Sequence, residues 1–193
     1  MTASGDEIGL PPPRTNGGMP LMDALKVRCS TRDFSAQSLS LQVLSDLLWA
    51  AQGVNRKDSG KRTAPSAKDT REIEIYVAIA DGAYRFDPER HRLRRVLEGD
   101  IRPLTGTQDF VRHAPANLVY VADLGRMDTS EENRRLYAAA DAGFIAQNVS
   151  LFCASAGLGT VVRGSVERAV LAEALGLSPR QQVILAQSVG HFR

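Results

Sequence analysis

From Glu131 to Ala156 the chain reads EENRRLYAAADAGFIAQNVSLFCASA, with no proline, and Gly157 follows. This is the pattern of one long helix that stops at the glycine. Its middle is dense in Ala138, Ala139, Ala140, Ala142, Gly143 and Ala146. Small side chains let other backbones come close, so the run predicts a central helix packed on several sides. The rest of the 193 residues has to be arranged around it.

Shorter elements flank it. Leu21, Met22 and Leu25 have turn-like spacing, and apolar residues recur at Leu41, Leu44, Leu47 or Leu48, and Ala51. Both patterns predict helices, the second with Ser40 as N-cap and Gly53 as its stop. A polar loop, VNRKDSGKRTAPSAKDTR, leads to EIEIYVAIA, which reads as a strand. ADGAYRFDPERHRLRRV reads as a turn, a strand, a second turn at Asp87-Pro88 and a return strand. ANLVYVAD and QQVILAQSVG add strands, and VERAVLAEALG adds a helix ending at Gly176. Few strands, helices of unequal length and one hairpin place the chain in the α+β class. No GxGxxG follows any strand, so a Rossmann nucleotide site has no support.

Composition narrows the function. A net charge of +2 argues against a nucleic-acid or membrane-surface binder. Cys29 and Cys153 lack CxxC spacing and the three histidines lack ligand spacing, which excludes a zinc motif and a disulfide scaffold. No apolar run reaches the length of a membrane span. Residues 1–20, with three consecutive prolines and a glycine pair, read as an extended arm. It is either a disordered tail or an arm that packs on a partner subunit. The first twenty residues lack a signal peptide's apolar stretch, so the expected location is cytoplasmic, or exported if a leader was removed.

Three short stretches carry candidate chemistry. In RCSTRDF, residues two apart point the same way if the segment is extended, which lines up Arg28, Ser30 and Arg32. Two guanidiniums and a hydroxyl match a phosphate dianion. The same residues also suit an ordinary helix exit, with Arg28 at the negative pole. TAPSAKD, Thr63 to Asp69, has a fixed φ at Pro65 and small side chains suited to the edge of a flat ligand, or to a plain surface loop. SAGLGTVVRGS, Ser155 to Ser165, can bring backbone N–H groups against a ring without side-chain interference, or simply end the long helix. There is no GxSxG, no HExxH and no pair of carboxylates in apolar surroundings. Cys153 reads as core, and Cys29, beside Arg28, has no histidine near it in sequence. Any redox or transfer chemistry therefore needs a cofactor.

Together and in this order, these stretches resemble the nitroreductase family of FMN-dependent oxidoreductases, from about Met19 to Phe192. RCSTRDF is similar to the family's R-x-S-x-R-x-F phosphate motif, and RTAPSAKDTREIEIYV to the loop and strand carrying P-S-A/S-x-N. DAGFIAQNVSLFCASAGLGTVVRGS is similar to the central helix and flavin-ring loop. The resemblance implies a mixed, mainly antiparallel sheet flanked by helices, with residues 21–193 as one FMN-binding domain in an intertwined homodimer. It implies FMN at the interface, with Arg28, Cys29, Ser30 and Arg32 at the phosphate and nearby ring. Pro65, Ser66, Ala67 and Asp69 would reach the flavin from the partner subunit, and Val162, Arg163 and Gly164 would lie along the ring near N5. Arg193 stands where relatives continue into a basic tail.

Two positions depart from the family pattern. Asp69 replaces an asparagine, so it either turns away from an anionic ring or pairs with a cation such as Arg71. Arg163 stands where better-known members have Glu, and would raise the flavin potential if it faced the ring. The expected activity passes hydride from NAD(P)H through flavin N5 to a nitro compound, quinone or similar small-molecule acceptor. AYRFDPERHRLRRV also resembles a hairpin of the subgroup related to SagB-type, azoline-oxidising dehydrogenases. That leaves open a biosynthetic flavin dehydrogenase, or a non-catalytic dimeric ligand-binding module of the same fold.

Overall fold

The computed structural model describes residues 7–193. The first six residues of the expected N-terminal arm lie outside the described residues. In chain order the elements are β1 (Glu7–Gly9), α1 (Leu21–Val27), α2 (Leu41–Gln52), β2 (Val54–Arg56) and β3 (Lys61–Arg62). They continue with β4 (Ile73–Ile79), β5 (Gly82–Asp87), β6 (Arg92–Glu98) and β7 (Ala116–Asp123). Last come α3 (Glu131–Ser155), β8 (Leu158–Arg163), α4 (Arg168–Ala174) and β9 (Gln181–His191).

Helix ends follow the expected chemistry. Ser40 caps α2 by accepting from the Val43 N–H, and Ser130 caps α3 by accepting from that of Asn133. Gly157 takes the left-handed conformation at φ 66°, which ends α3. Gly53 stops α2 for a different reason. Its φ is an ordinary −65°, but a β-carbon there would sit 2.4 Å from Trp49 Cδ1.

Seven strands form one sheet in the order β1-β6-β5-β4-β7-β9-β8, and every pairing among the described residues is antiparallel. Alternation along the central strands sets the two faces. Ile75, Val77, Leu118 and Tyr120 face α2 and α3, while Tyr76, Ala78, Val119 and Val121 pack with Leu171 and Val183 on the α4 side. The predicted α+β class and mainly antiparallel sheet are therefore present. Ala138, Ala142, Ala146 and Val149 of α3 are buried, so the alanine run serves close approach to the sheet. A buried polar knot ties helix to sheet: Gln187 accepts from the Tyr120 hydroxyl and donates to Ala146 O, Ser150 Oγ and Thr160 Oγ1.

Two segments read as irregular contain ladders. VNRKDSGKR forms the β2–β3 hairpin. The N-terminal segment adds β1 to the exposed edge of β6, which satisfies backbone groups that an edge strand leaves open. Beyond β1 it crosses α2, where Asp46 accepts from the Arg14 backbone and guanidinium, and Ser45 donates to Pro11 O. The Asp46 carboxyl is held below its usual range against the opposing effect of burial, by the bonds from Arg14 and Gln42. Within the described residues this arm lies on its own chain. None of the described helices is long and apolar enough to cross a membrane.

Candidate functional site

Arg28 is the C-cap of α1, with ψ 118°, so the chain leaves the helix in an extended direction at that residue. Thr31 N–H donates to Thr160 O of β8 at 3.0 Å, and Ser35 N–H donates to His191 O of β9 at 3.0 Å. Phe34 forms a bridge with Phe192. The segment is thereby clipped across the ends of the last two strands. Arg28 is half-buried, while Cys29, Ser30 and Arg32 are exposed. Neither guanidinium has a carboxylate within ion-pair distance or a hydrogen-bond partner among the described residues. Arg193 lies 3.7 Å from Asp33, with both side chains largely exposed.

Gly159 makes this clip possible. A β-carbon there would sit 2.4 Å from Thr31 Cγ2 and 3.3 Å from Phe34 Cε1. Gly159→Ala is expected to destabilise the fold by about 1–3 kcal/mol, the usual cost of overpacking, and to loosen the Arg28–Arg32 segment. Thermal melting and limited proteolysis around residue 30 measure both effects.

On β8, neighbouring residues divide between the two faces. Val162 is exposed and Gly164 has open space around it, whereas Arg163 is 4% exposed. The Arg163 guanidinium turns into the protein beneath the strand, donating to Thr105 O at 2.7 Å and Asn117 Oδ1 at 3.1 Å. Gly106 leaves the room it needs, since a β-carbon there would lie 2.0 Å from Nη1. Burial pulls its pKa down to about 10, so it stays charged at neutral pH. It is a buried cation on the face opposite Val162.

The TAPSAKD loop lies elsewhere on the molecule. Lys68, Asp69 and Arg71 all have positive φ (53°, 55° and 51°), a strained run for residues with side chains. Arg71 grips Asp69 with two parallel bonds of 3.0 and 2.9 Å, as the sequence suggested. That guanidinium holds the Asp69 carboxyl below its ordinary range. Pro65 is exposed. Ser66 and Ala67 turn their polar groups inward: the Ser66 hydroxyl donates to Glu72 Oε2 at 3.1 Å, and the Ala67 N–H donates to Asp141 Oδ2 at 2.7 Å.

Glu72 and Asp141 are a buried carboxyl pair, 0% and 3% exposed, which corrects the expectation that no such pair exists. Burial and the neighbouring Glu72 push the Asp141 carboxyl up to about 6, against the opposing bond from Ala67 N–H. Glu72 Oε1 has no donor among the protein atoms. Its other oxygen, Oε2, accepts from the Ser66 and Thr70 hydroxyls. Sequence gave little warning, because the two residues are distant in the chain. The one local signal was an aspartate inside the AAADAG run.

Asp141 and Ser155 are fourteen residues apart on α3, roughly 21 Å along its axis. Met19 at the start of the α1 segment donates to Ser155 Oγ. Within one chain, then, the Arg28 and β8 groups collect near the C-terminal end of α3, and the Pro65–Asp69 loop sits near its middle. Cys153, expected to be core, is fully buried and its thiol is pushed up to about 12 by burial. No cluster of metal-ligating side chains occurs among the described residues.

The chain is similar to known proteins along most of its length. The chain is 36% identical over 156 residues to a nitroreductase-type protein of Methanocaldococcus jannaschii, covering 75% of this chain and 78% of that one. It superimposes on the crystal structure of a nitroreductase-type protein of Ralstonia eutropha with a TM-score of 0.94 and 47% identity, covering 100% of this chain and 92% of the other. A Desulfovibrio desulfuricans protein of the same type, solved in complex with FMN, shares the fold at a TM-score of 0.66 and 22% identity, over 91% of this chain and 87% of that one. The sequence model of the Nitroreductase family matches residues 25–191, from within α1 to the end of β9, and with that span and these two closer relatives the chain belongs to the Nitroreductase family.

Proposed function

We propose that the protein is an FMN-dependent oxidoreductase, acting as a homodimer, that takes hydride from NAD(P)H and delivers it to a nitro compound, quinone or similar acceptor. The observation that carries this reading is the pair Arg28 and Arg32: two cations without a protein carboxylate, on an extended segment fixed to β8. The donor set fits FMN. Unpaired guanidiniums and the exposed Ser30 hydroxyl suit a phosphate dianion, and the open backbone at Gly164 suits close approach of a flat ring. Bound there, FMN would supply two-electron chemistry by accepting hydride at ring N5 and releasing it to the acceptor.

The protein's own part is binding and placement. Arg28, Arg32 and Ser30 hold the phosphate, with Cys29 between them and Arg193 adding charge at the same end. Val162 offers an apolar surface, and the Arg163–Gly164 backbone offers polar groups to the ring edge. Arg163 itself acts from beneath the strand, as a field and not as a contact.

Pro65 and Asp69 of a second copy complete the site in this reading, with Ser66 and Ala67 supporting their loop from inside. Exposed apolar side chains on α1 (Leu21, Met22, Leu25, Val27) and on α3 (Leu136, Phe144) favour such a partner.

The β5–β6 hairpin favours a second reading, a dehydrogenase that oxidises its substrate and passes electrons elsewhere. Anaerobic mixing of the flavin-loaded protein with NADH and NADPH separates the two. Rapid bleaching by either nucleotide is expected. A flavin that stays oxidised with both would favour the dehydrogenase.

A further inference from the structure

The segment from Asn55 to Arg71, NRKDSGKRTAPSAKDTR, holds six cations against two carboxylates. That surplus of four stands in a chain of net charge +2, and three of its four lysines are here. Folding gathers the charge around one cavity. The β2–β3 hairpin turns at Gly60, where a β-carbon would lie 3.6 Å from Arg71 Nη1, so the hairpin tip sits over the loop. Between them is a pocket of about 340 Å³ lined by Arg56, Lys61, Arg62 and Arg71, with Glu72 and Asp141 also in its wall.

Two features of these cations call for an anion. Lys61 has no side-chain partner among the described residues. Arg56 donates only to neutral oxygens, Asn55 Oδ1 and Arg62 O. Arg62 is held by Gln52 and Glu89 through its terminal nitrogens. An oxyanion would give Lys61 and Arg56 the charged partner that they lack. The carboxylates in the wall are already engaged: Asp69 with Arg71, Glu72 with the Ser66 and Thr70 hydroxyls, and Asp141 with the Ala67 N–H.

We propose that this pocket binds a phosphate group of a small-molecule substrate. Its volume has room for a phosphate with the sugar that carries it. If the Pro65–Asp69 loop borders the flavin, as the proposed function holds, a 2′-phosphate on the reduced pyridine nucleotide is one source. A phosphorylated acceptor is the other.

Titration calorimetry on the purified full-length chain, loaded with FMN, tests this with 2′,5′-ADP, 5′-ADP and inorganic phosphate as probes. Lys61→Glu and Arg56→Glu should each weaken 2′,5′-ADP binding about tenfold or more. Arg112→Glu, the same change of net charge on an exposed side chain outside the pocket, should leave it unaltered. Added salt should weaken binding by the wild type. Selectivity for 2′,5′-ADP over 5′-ADP supports the pocket with the nucleotide as source, whereas equal binding of all three probes supports it with a phosphorylated acceptor. Absence of binding by every probe, or equal loss in Arg112→Glu, overturns the pocket. A protein that takes up no FMN but binds phosphate through Lys61 keeps the pocket and removes the flavin reading, so the two failures are distinct.

Discussion

Arg28→Ala weakens FMN binding by roughly ten- to a hundred-fold, because it removes a charged hydrogen bond worth about 1.5–3 kcal/mol. The loss falls on affinity and not on folding, since the Arg28 guanidinium has no partner within the described protein whose removal would cost stability. Arg32→Ala should act in the same direction, and more weakly, because Arg32 is the more exposed of the two. Fluorescence quenching of free FMN, titrated against each variant, measures the effect. Arg28→Lys provides a useful contrast: it keeps the charge but loses the planar fork, so it should recover part of the affinity and not all of it. An Arg28→Ala variant with unchanged affinity would assign the residue to the helix exit alone.

Asp141→Asn raises stability at pH 7 and above by about 1–3 kcal/mol. The Asp141 carboxyl rises from 3.8 to about 6 in the folded protein, chiefly through burial and the facing Glu72. A raised pKa means that the folded state binds the proton more tightly than the unfolded chain does. Its stabilising contribution is therefore complete below about pH 4 and disappears as pH climbs through about 6. Asparagine keeps an oxygen for the Ala67 N–H and can donate to Glu72, without a second negative charge. Melting curves across this range should show the wild-type midpoint falling between pH 4 and pH 7 relative to the variant, and the two converging at the acid end. Glu72→Gln should give a similar flattening. Glu72→Ala should instead destabilise at every pH, because the Ser66 and Thr70 hydroxyls lose their shared acceptor.

Local pattern carried most of the fold. Ser40 and Gly53 bounded α2 to the residue, and ANLVYVAD coincided with β7, because caps and alternation are written in adjacent positions. What adjacent positions cannot express is pairing at a distance. The attachment of β1 to β6 rests on an open sheet edge, and its three residues carry no alternation worth reading. The β2–β3 hairpin is held by backbone bonds between short strands that are polar except at Val54, so hydropathy marks it as loop.

The site was legible in the same uneven way. Arg28 stands at the helix exit with Ser30 and Arg32 exposed beyond it, and Asp69 finds Arg71 two residues away. Arg163 is buried beneath β8, because the Thr105 carbonyl, the Asn117 amide oxygen and the space at Gly106 accept it there, and no local pattern signals that. Glu72 and Asp141 were invisible until the loop, the strand and α3 came together.

Whether the cations on the RCSTR segment hold FMN is read from the visible absorption spectrum of the purified protein. The expected protein is yellow, retains one FMN per chain, and loses it on dialysis once Arg28 and Arg32 are both alanine. A colourless protein that takes up no FMN when titrated with it would show that these cations hold no flavin.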